Sequence, residues 1–466
     1  MNEKYKYLSK NVLLFSISSF LPKVLSFVMI PVYTSVLTPG DYGISELIAT
    51  TVALLLPIFT CDIQDAVMRF AFDRAYTQSA VFSTALRIVG KGILLIAVGC
   101  LGLCLLQVPG LETEYIVFVF WQYAIQALGN SCNLFCRGIE QVKVLTMASL
   151  LQSVLFAGLN MLLLFVWPLG FTGYMLSGTI SATLALIYMI IKAKLYRYID
   201  FDRYPELQRQ MISFSFPLIF SVLAWWVNNA SDRYIVTWMA GVSVSGLYAV
   251  ASKIPNILVA FEGVFYQAWS ISAVKEFDSE DKDGFIGRMY TMTNAAMVLL
   301  CSAIMMGNIP LASVLYSAEF FSAWIYVPPL LIAIVFNCLS LFIGSIYTTV
   351  KKTKILSYTT ISGAVVNTVL NFILIYFFGA YGAAVATMIS FIVVAFGRLY
   401  FLNRFLHMRV RYRRDVVGYI LLILQAAVAY CGNSLILLQS AVFISLVAIY
   451  YHELYLIIHK VYLRFH

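Results

Sequence analysis

The chain has 466 residues, of which 61% are hydrophobic and only 11% are charged, with a net charge of +9. A soluble globular protein carries about 25% charged residues, so this composition excludes a single soluble domain. The basic balance does not indicate nucleic-acid binding, because basic residues collect in the cytoplasmic loops of membrane proteins. Apolar stretches of about 20 residues recur, and each is long enough to cross a bilayer as a helix. We therefore predict an all-α, polytopic membrane protein.

The apolar stretches, taken in chain order, predict about fourteen transmembrane helices. They are 11–36, 44–66, 81–106, 115–136, 146–167, 172–193, 212–238, 245–269, 290–315, 324–347, 355–378, 382–403, 416–432 and 435–459. Loops after odd-numbered spans contain no Lys or Arg, whereas loops after even-numbered spans are basic. The positive-inside rule therefore predicts that both termini are cytoplasmic.

Two parts of the sequence repeat each other. Residues 143–167 match 354–378, and they align Asn160 with Asn371. After a shift of two residues, the glycines and the Ile-Ser pair of 170–181 match those of 379–390. Six spans separate the copies, so the copies share one orientation in the membrane. We predict two pseudo-symmetric six-helix lobes, 1–200 and 205–404, and an additional helix pair, 405–466.

No residue pattern indicates catalysis or a metal site. Two cysteine pairs have helical i,i+4 spacing, Cys100 with Cys104 and Cys132 with Cys136, but all four histidines lie at or after His407. We interpret these cysteines as small apolar residues. The loops predicted to be external are short, so they provide no domain for an active site. The sequence favours a protein that is not an enzyme and has no cofactor.

Basic side chains inside predicted spans are the first candidate binding residues. Lys23 lies near the middle of the first span, Arg233 in the outer half of the seventh and Lys253 on the eighth. Asn228 occupies the position that the repeat aligns with Lys23. Charges within a membrane are costly and usually face a partner or a water-filled cavity. We predict a cationic cleft between the lobes that binds an anion such as phosphate; internal ion pairing is the alternative.

Acidic side chains form two further groups. Asp232 and Glu262 are candidates for coupling to H⁺ or Na⁺, because a buried acid can take a proton or coordinate sodium. The alternative is that Asp232 neutralises a neighbouring cation. Asp62, Asp65 and Arg69 are predicted to share one face at the inner end of the second span, as an interfacial charge ladder or inner gate.

Several motifs resemble polysaccharide repeat-unit flippases of the O-antigen and capsule type, within the multidrug/oligosaccharidyl-lipid/polysaccharide exporter superfamily. The first span and its turn contain FLPK at 20–23, PVYT at 31–34 and LTPGDYG at 37–43. The second lobe contains FP at 216–217 and DRYI at 232–235. The resemblance extends over about the whole chain. One departure is Lys23, which stands where relatives often have Arg, and a lysine does not provide the bidentate geometry of a guanidinium.

The resemblance implies alternating access around a central cationic cavity. It implies a polyprenyl-diphosphate-linked oligosaccharide as substrate, carried from the inner to the outer leaflet of a prokaryotic cytoplasmic (inner) membrane for surface polysaccharide biosynthesis. Glycosyltransferases and a polysaccharide polymerase are the partner proteins that fit this role.

Two alternatives stay open. An ion-coupled multidrug or small-molecule antiporter has the same fold, but Lys23, Arg233 and Lys253 argue against a cationic cargo. A membrane-embedded glycan polymerase generally needs a large outer loop with catalytic Arg or His, and the predicted external loops are short.

Overall fold

The computed structural model describes residues 22–456 except 73–74, 276–277, 279–280, 351, 403, 405, 407, 409 and 432–434. All regular secondary structure in these residues is helical. The chain forms two compact units, Met1–Trp226 and Val227–His466. The last helices, which the sequence sets apart as an additional pair, pack within the second unit against a helix that begins at Phe285.

The first unit contains seven helices and the beginning of an eighth. They are α1 (Pro22–Thr34), α2 (Pro39–Phe59), α3 (Ile63–Ala71), α4 (Gln78–Leu106), α5 (Thr113–Gly138), α6 (Val142–Met161), α7 (Gly170–Lys192) and α8 (Pro205–Ala240). A π-helical turn, Leu162–Val166, extends α6. Thr38 caps α2: its hydroxyl accepts the backbone N–H of Asp41, and the Asp41 carboxylate accepts the backbone N–H of Thr38. This capping box places the start of α2 five residues before the predicted span.

The second unit contains the end of α8 and nine further helices. They are α9 (Val242–Ala251), α10 (Pro255–Lys275), α11 (Phe285–Met306), α12 (Asn308–Leu315), α13 (Val327–Thr349), α14 (Thr353–Phe378), α15 (Ala380–Leu402), α16 (Tyr412–Ala429) and α17 (Ile436–Ile449). Helix α13 is the buried centre of this unit: 18 of its 23 residues are buried.

Nine helices in the described ranges are long and apolar enough to cross a membrane, and ten if the bent pair α9 and α10 is one span. Each of the fourteen predicted spans overlaps at least one helix. The all-α polytopic fold is therefore confirmed.

Several predicted spans are interrupted, and two of these breaks lie at candidate site residues. Cys61 and Asp62 have positive φ angles of 53° and 48°, which end α2 before α3 begins. Asp62 consequently lies in the turn before α3, so the prediction that it shares a helical face with Asp65 and Arg69 is wrong; Asp65 and Arg69 lie four residues apart on α3 and do share a face.

The eighth predicted span breaks at residues 252–254, and its halves are bent by 49°. Pro255 begins α10, and a proline disfavours helical backbone in the residue before it. Lys253 therefore lies in a turn rather than within the single helix predicted for the eighth span, and Glu262 lies beyond the bend, on α10.

The repeat noted in the sequence has a matching backbone in α6–α7 and α14–α15. Gly170 and Gly379, aligned by the repeat, both have positive φ, 55° and 58°. A Cβ on Gly173 would lie 2.7 Å from the Leu163 carbonyl oxygen, and one on Gly382 would lie 2.1 Å from that of Leu374. Both helix pairs therefore use aligned glycines for the turn and for close approach.

Candidate functional site

Asp232 is the centre of a buried polar cluster in the second unit. Its side chain is 4% exposed and lies on α8. One carboxylate oxygen, Oδ1, accepts the Asn371 amide N–H at 2.7 Å. The other, Oδ2, accepts the hydroxyls of Thr387 at 2.6 Å and Tyr248 at 3.2 Å. These donors, from α9, α14 and α15, are all neutral, so the donors seen here solvate the acid without neutralising it.

A second layer of hydrogen bonds orients the donors to Asp232. The Asn371 amide also donates to Asn367 Oδ1 at 2.9 Å, and the Asn367 amide lies 3.4 Å from the Thr387 hydroxyl. Both asparagines are 0% exposed and lie four residues apart on α14. Sequence reasoning named Asp232 but missed these partners. The i,i+4 asparagine pair within an apolar span was the available signal.

Glu262 lies at a different place in the second unit. It is 3% exposed on α10 and accepts the Asn337 amide N–H of α13 at 2.9 Å. Its hydrogen-bond partner therefore differs from those of Asp232. The two acids proposed for coupling occupy separate polar environments rather than one carboxylate pair.

The predicted cationic residues lie on three different elements. Lys23 is exposed on α1 of the first unit. Arg233 is half-buried on α8, and Lys253 is half-buried in the break between α9 and α10, both in the second unit. Asn228 also lies on α8, but its side chain is outside the described residues. Their predicted role as one phosphate site stays a prediction.

The predicted inner-gate residues differ in burial. Asp62 is 2% exposed, and its Oδ1 accepts the Gln64 amide at 2.8 Å. Asp65 and Arg69 are exposed on α3. The buried Asp62 therefore lies in a turn, whereas the exposed Asp65 and Arg69 lie on the helix that follows it.

A polar cavity of about 340 Å³ lies within the first unit, between α1, α6 and α7. Its hydroxyl and amide groups come from Ser26, Ser149, Gln152, Ser153 and Ser181. Its other lining residues are Pro22, Leu25, Met29, Phe156 and Gly178. No charged side chain is among them. Sequence reasoning missed this cavity, because scattered serines in apolar helices also occur where helices pack closely.

Arg398 is a buried cation that sequence reasoning missed. It lies on α15, is 5% exposed, and donates to the Ser340 carbonyl at 2.6 Å and to the hydroxyls of Thr359 and Thr360. These bonds connect α13, α14 and α15. A Cβ on Gly344 would approach Arg398 Nη1 to 3.0 Å. Arg398 therefore cross-links three helices through neutral acceptors.

Within the described residues, no group of three or more His, Cys, Asp or Glu side chains is arranged to hold a metal ion. Cys132 and Cys136 are buried in the apolar core of the first unit. Asp232 is accordingly a single-carboxylate site surrounded by amide and hydroxyl groups.

Solved structures similar to this chain are membrane transport proteins. The lipid II flippase MurJ, in an inward closed conformation, is 14% identical, with 95% of this chain and 99% of that chain aligned at a TM-score of 0.67. An inward-facing multidrug resistance MATE family transporter of the MOP superfamily is 13% identical, with coverages of 84% and 98% and a TM-score of 0.65. A MOP superfamily transporter from Pyrococcus furiosus is 12% identical, with coverages of 85% and 96% and a TM-score of 0.58.

A search of the curated proteins found no match. The model of the polysaccharide biosynthesis protein family matches residues 8–271, which is more than half of the chain. The structural similarities show that this chain shares its fold with a lipid II flippase and MATE transporters. The family model identifies the protein family to which it belongs. The chain belongs to the polysaccharide biosynthesis protein family.

Proposed function

We propose that this protein is a flippase that moves a polyprenyl-diphosphate-linked oligosaccharide repeat unit from the inner to the outer leaflet by alternating access. The observation that carries the proposal is the extent of the structural match. The lipid II flippase aligns with 95% of this chain, whereas the MATE transporter and the Pyrococcus furiosus transporter align with 84% and 85%. The family match to polysaccharide biosynthesis supports the same substrate class.

In this proposal the cations bind the diphosphate. Lys23, Arg233 and Lys253, with Asn228, contact phosphate oxygens, since charge-assisted hydrogen bonds are stronger than neutral ones. Outward movement of an anion is helped by a negative-inside potential, because each charge gains about 2.3 kcal/mol per 100 mV. Asp232 and Glu262 couple the return step to H⁺ or Na⁺. Asp62, Asp65 and Arg69 contribute to an inner gate.

The same proposal includes a topology. Both termini are cytoplasmic in the inner membrane of a prokaryote, and the chain crosses fourteen times. Reporter fusions at Gly40, Gly110 and Gly241 should read as external, and fusions at Arg203 and Lys352 as internal. An external signal at Lys352 would contradict the two-lobe arrangement, because residues 203 and 352 follow an even number of predicted spans.

Export of surface polysaccharide tests the role of the cations. Lys23→Gln and Lys253→Gln should each lower export about tenfold at matched protein levels, because a hydrogen bond to a charged group contributes about 1.5–3 kcal/mol. Lys23→Arg and Lys253→Arg should retain export, since each keeps the charge. Lys143→Gln, at an exposed position at the start of α6, is the matched control. Full export by both glutamine variants would contradict phosphate binding here.

The runner-up function is an ion-coupled antiporter of small molecules, and Asp232 is the observation that favours it. A buried carboxylate with neutral donors suits the alternate binding of H⁺ and a cation. The two functions are separated by cargo. Uptake of a lipophilic cation into inverted vesicles, driven by an imposed H⁺ or Na⁺ gradient and abolished by Asp232→Asn, would favour the antiporter.

A further inference from the structure

The cavity in the first unit has lining chemistry that the diphosphate site does not explain. Its polar groups are four serine hydroxyls and one glutamine amide, and none of the described residues that line it is a lysine or arginine. Phosphate binding favours cations or clusters of backbone N–H groups. Hydroxyl and amide groups donate and accept hydrogen bonds, as sugar hydroxyls do. The volume of about 340 Å³ lies within the range of small-molecule pockets, about 300–1,000 Å³.

We propose that this cavity binds the sugar residue directly attached to the diphosphate of the substrate. The inference rests on the proposed flippase function and assigns the sugar a subsite within the first unit. Phe156 provides an apolar wall beside the polar groups, so the cavity presents both of the surfaces that a sugar ring has.

The hydrogen-bonding state of the lining groups suits a ligand rich in hydroxyls. Ser153 Oγ donates to the Ser149 carbonyl and Ser181 Oγ donates to the Gly178 carbonyl, both at 2.9 Å. Each hydroxyl therefore has its proton engaged and its lone pairs available to accept a sugar O–H. The Gln152 side chain has no hydrogen-bond partner among the described residues and is exposed, so its amide can both donate and accept.

Lys23 connects this cavity to the phosphate site. Lys23 and Ser26 are three residues apart on α1, so they lie on the same face of the helix, about 4.5 Å apart along its axis. Ser26 lines the cavity, whereas the Lys23 side chain is exposed. Phosphate held by Lys23 would place the sugar bonded to it at the cavity. The cation recognises the part common to all such lipids, and the cavity recognises the sugar.

Equilibrium binding to the purified full-length protein in nanodiscs tests this division. The probes are a polyprenyl diphosphate without sugar and the same lipid carrying one hexose or one N-acetylhexosamine. Gln152→Leu removes the free amide. Gly178→Leu fills the cavity from a position where a Cβ meets only Phe156, at 3.8 Å. Gly158→Ala on α6, where a Cβ would meet nothing within 4 Å, is the matched control.

Wild type and Gly158→Ala should bind a sugar-bearing lipid at least about fivefold more tightly than the bare lipid. Gln152→Leu and Gly178→Leu should reduce that preference to about one and should leave bare-lipid affinity unchanged. Gln152→Leu loses about two neutral hydrogen bonds to the sugar, and Gly178→Leu occupies the space that the sugar needs. Lys23→Gln should weaken both lipids equally. The bare-lipid measurement also shows that each variant is folded.

Two results would overturn the proposal in distinguishable ways. Wild type that binds the bare and sugar-bearing lipids equally, with the preference unaffected by Gln152→Leu and Gly178→Leu, overturns the sugar subsite and leaves the flippase function intact. Wild type that binds neither lipid overturns both. Equal weakening of all lipids by the cavity variants, with the glycine control unaffected, also contradicts a role confined to the sugar.

Discussion

The cavity of the first unit and the Asp232 cluster of the second unit occupy corresponding places in the internal repeat. Phe156 and Gly178 line the cavity, and the repeat aligns them with Asn367 and Thr387, which belong to the cluster. Asn160 aligns with Asn371 in the same way. The described residues that line the first-unit cavity are neutral and rich in serine, whereas the second unit has a hydrogen-bonded network around a buried carboxylate.

This difference separates the residues of the repeat that maintain its backbone from those that differ between the two units. The turn and contact glycines are the same in both copies, because the backbone geometry of the helix pair requires them. The facing side chains diverge. A buried carboxylate needs donors around it, and in the second unit Asn371, Thr387 and Tyr248 supply them. One scaffold thus carries a candidate ligand cavity in one unit and a candidate coupling group in the other.

The largest expected effect concerns the carboxylate itself. Asp232→Asn keeps the shape of the side chain but removes its ability to take a proton or bind a cation, so export should fall by about tenfold or more at matched protein levels. Glu206→Gln, at an exposed acid on the same helix, should leave export unchanged. Wild-type export by both Asp232→Asn and Glu262→Gln at every pH and sodium concentration would show that these carboxylates do not couple transport.

The shared part of the comparison is tested by its contact glycines. Gly382→Ala and Gly173→Ala should both lower stability, because each new Cβ would overlap a backbone carbonyl that cannot move aside easily. We expect a loss of about 1–3 kcal/mol, typical of overpacking, and more for Gly382, where the approach is closer. Thermal unfolding in detergent measures it. Gly158→Ala serves as control; a Gly173→Ala variant as stable as that control would argue against equal roles.

The divergent part is tested by the aligned asparagines. Asn371→Ala removes the hydrogen bonds that the Asn371 amide donates to Asp232 and Asn367. The free energy of unfolding should therefore fall by about 1–3 kcal/mol. Asn160 donates only to the Phe156 carbonyl of its own helix, and its Oδ1 has no hydrogen-bond partner among the described residues. Asn160→Ala should therefore cost less than about 1 kcal/mol. Equal losses in thermal unfolding would remove the distinction drawn between the units.

The helical architecture was predictable, because long apolar stretches in a chain with few charges have few other solutions. The repeat was visible in the sequence because both copies need glycine at the same turn. Gly170 and Gly379 both have a positive φ, which other residues adopt rarely. The interruptions at Asp62 and Lys253 were not predicted. A helical projection treats each apolar stretch as one straight helix, and it missed the turns before α3 and α10.

The candidate site was predictable only at its charges. Asp232 stands out in an apolar span, but its donors Asn371 and Thr387 come from helices more than 130 residues away, and only the packing identifies them. The cavity exists because two of its lining positions have small residues: Gly178 has no side chain, and Ser153 has a short one. Hydrophobic periodicity indicates which residues share one face of a helix, whereas a cavity depends on how three helices pack against each other.

The smallest expected effect concerns the segments that follow the two aligned helix pairs. After α7, Asp200 accepts the Asp202 backbone N–H at 3.0 Å and the Tyr204 hydroxyl, and its own backbone is tied to Ser83 and Arg87 of α4. In the second unit, Arg414 at the start of α16 instead pairs with Asp415 of the same helix and with Glu453, which follows α17. The Asp200 loop should contribute less to stability than the Arg414 ion pairs, because solvent screens its charges.

The backbone N–H of Asp202 and then the Tyr204 hydroxyl lower the pKa of Asp200 below its ordinary value of 3.8. The folded state thus favours the ionised carboxylate, and its contribution is present above about pH 4 and lost as the pH falls further. Asp200→Asn should lower stability slightly and by a constant amount from pH 5 to 8, with the difference shrinking in more acidic solution. Asp202→Asn, which keeps the backbone donor, is the control for thermal unfolding across this range. A deficit of Asp200→Asn that grew on acidification would have the wrong sign and would refute the stabilising role of the carboxylate in this loop.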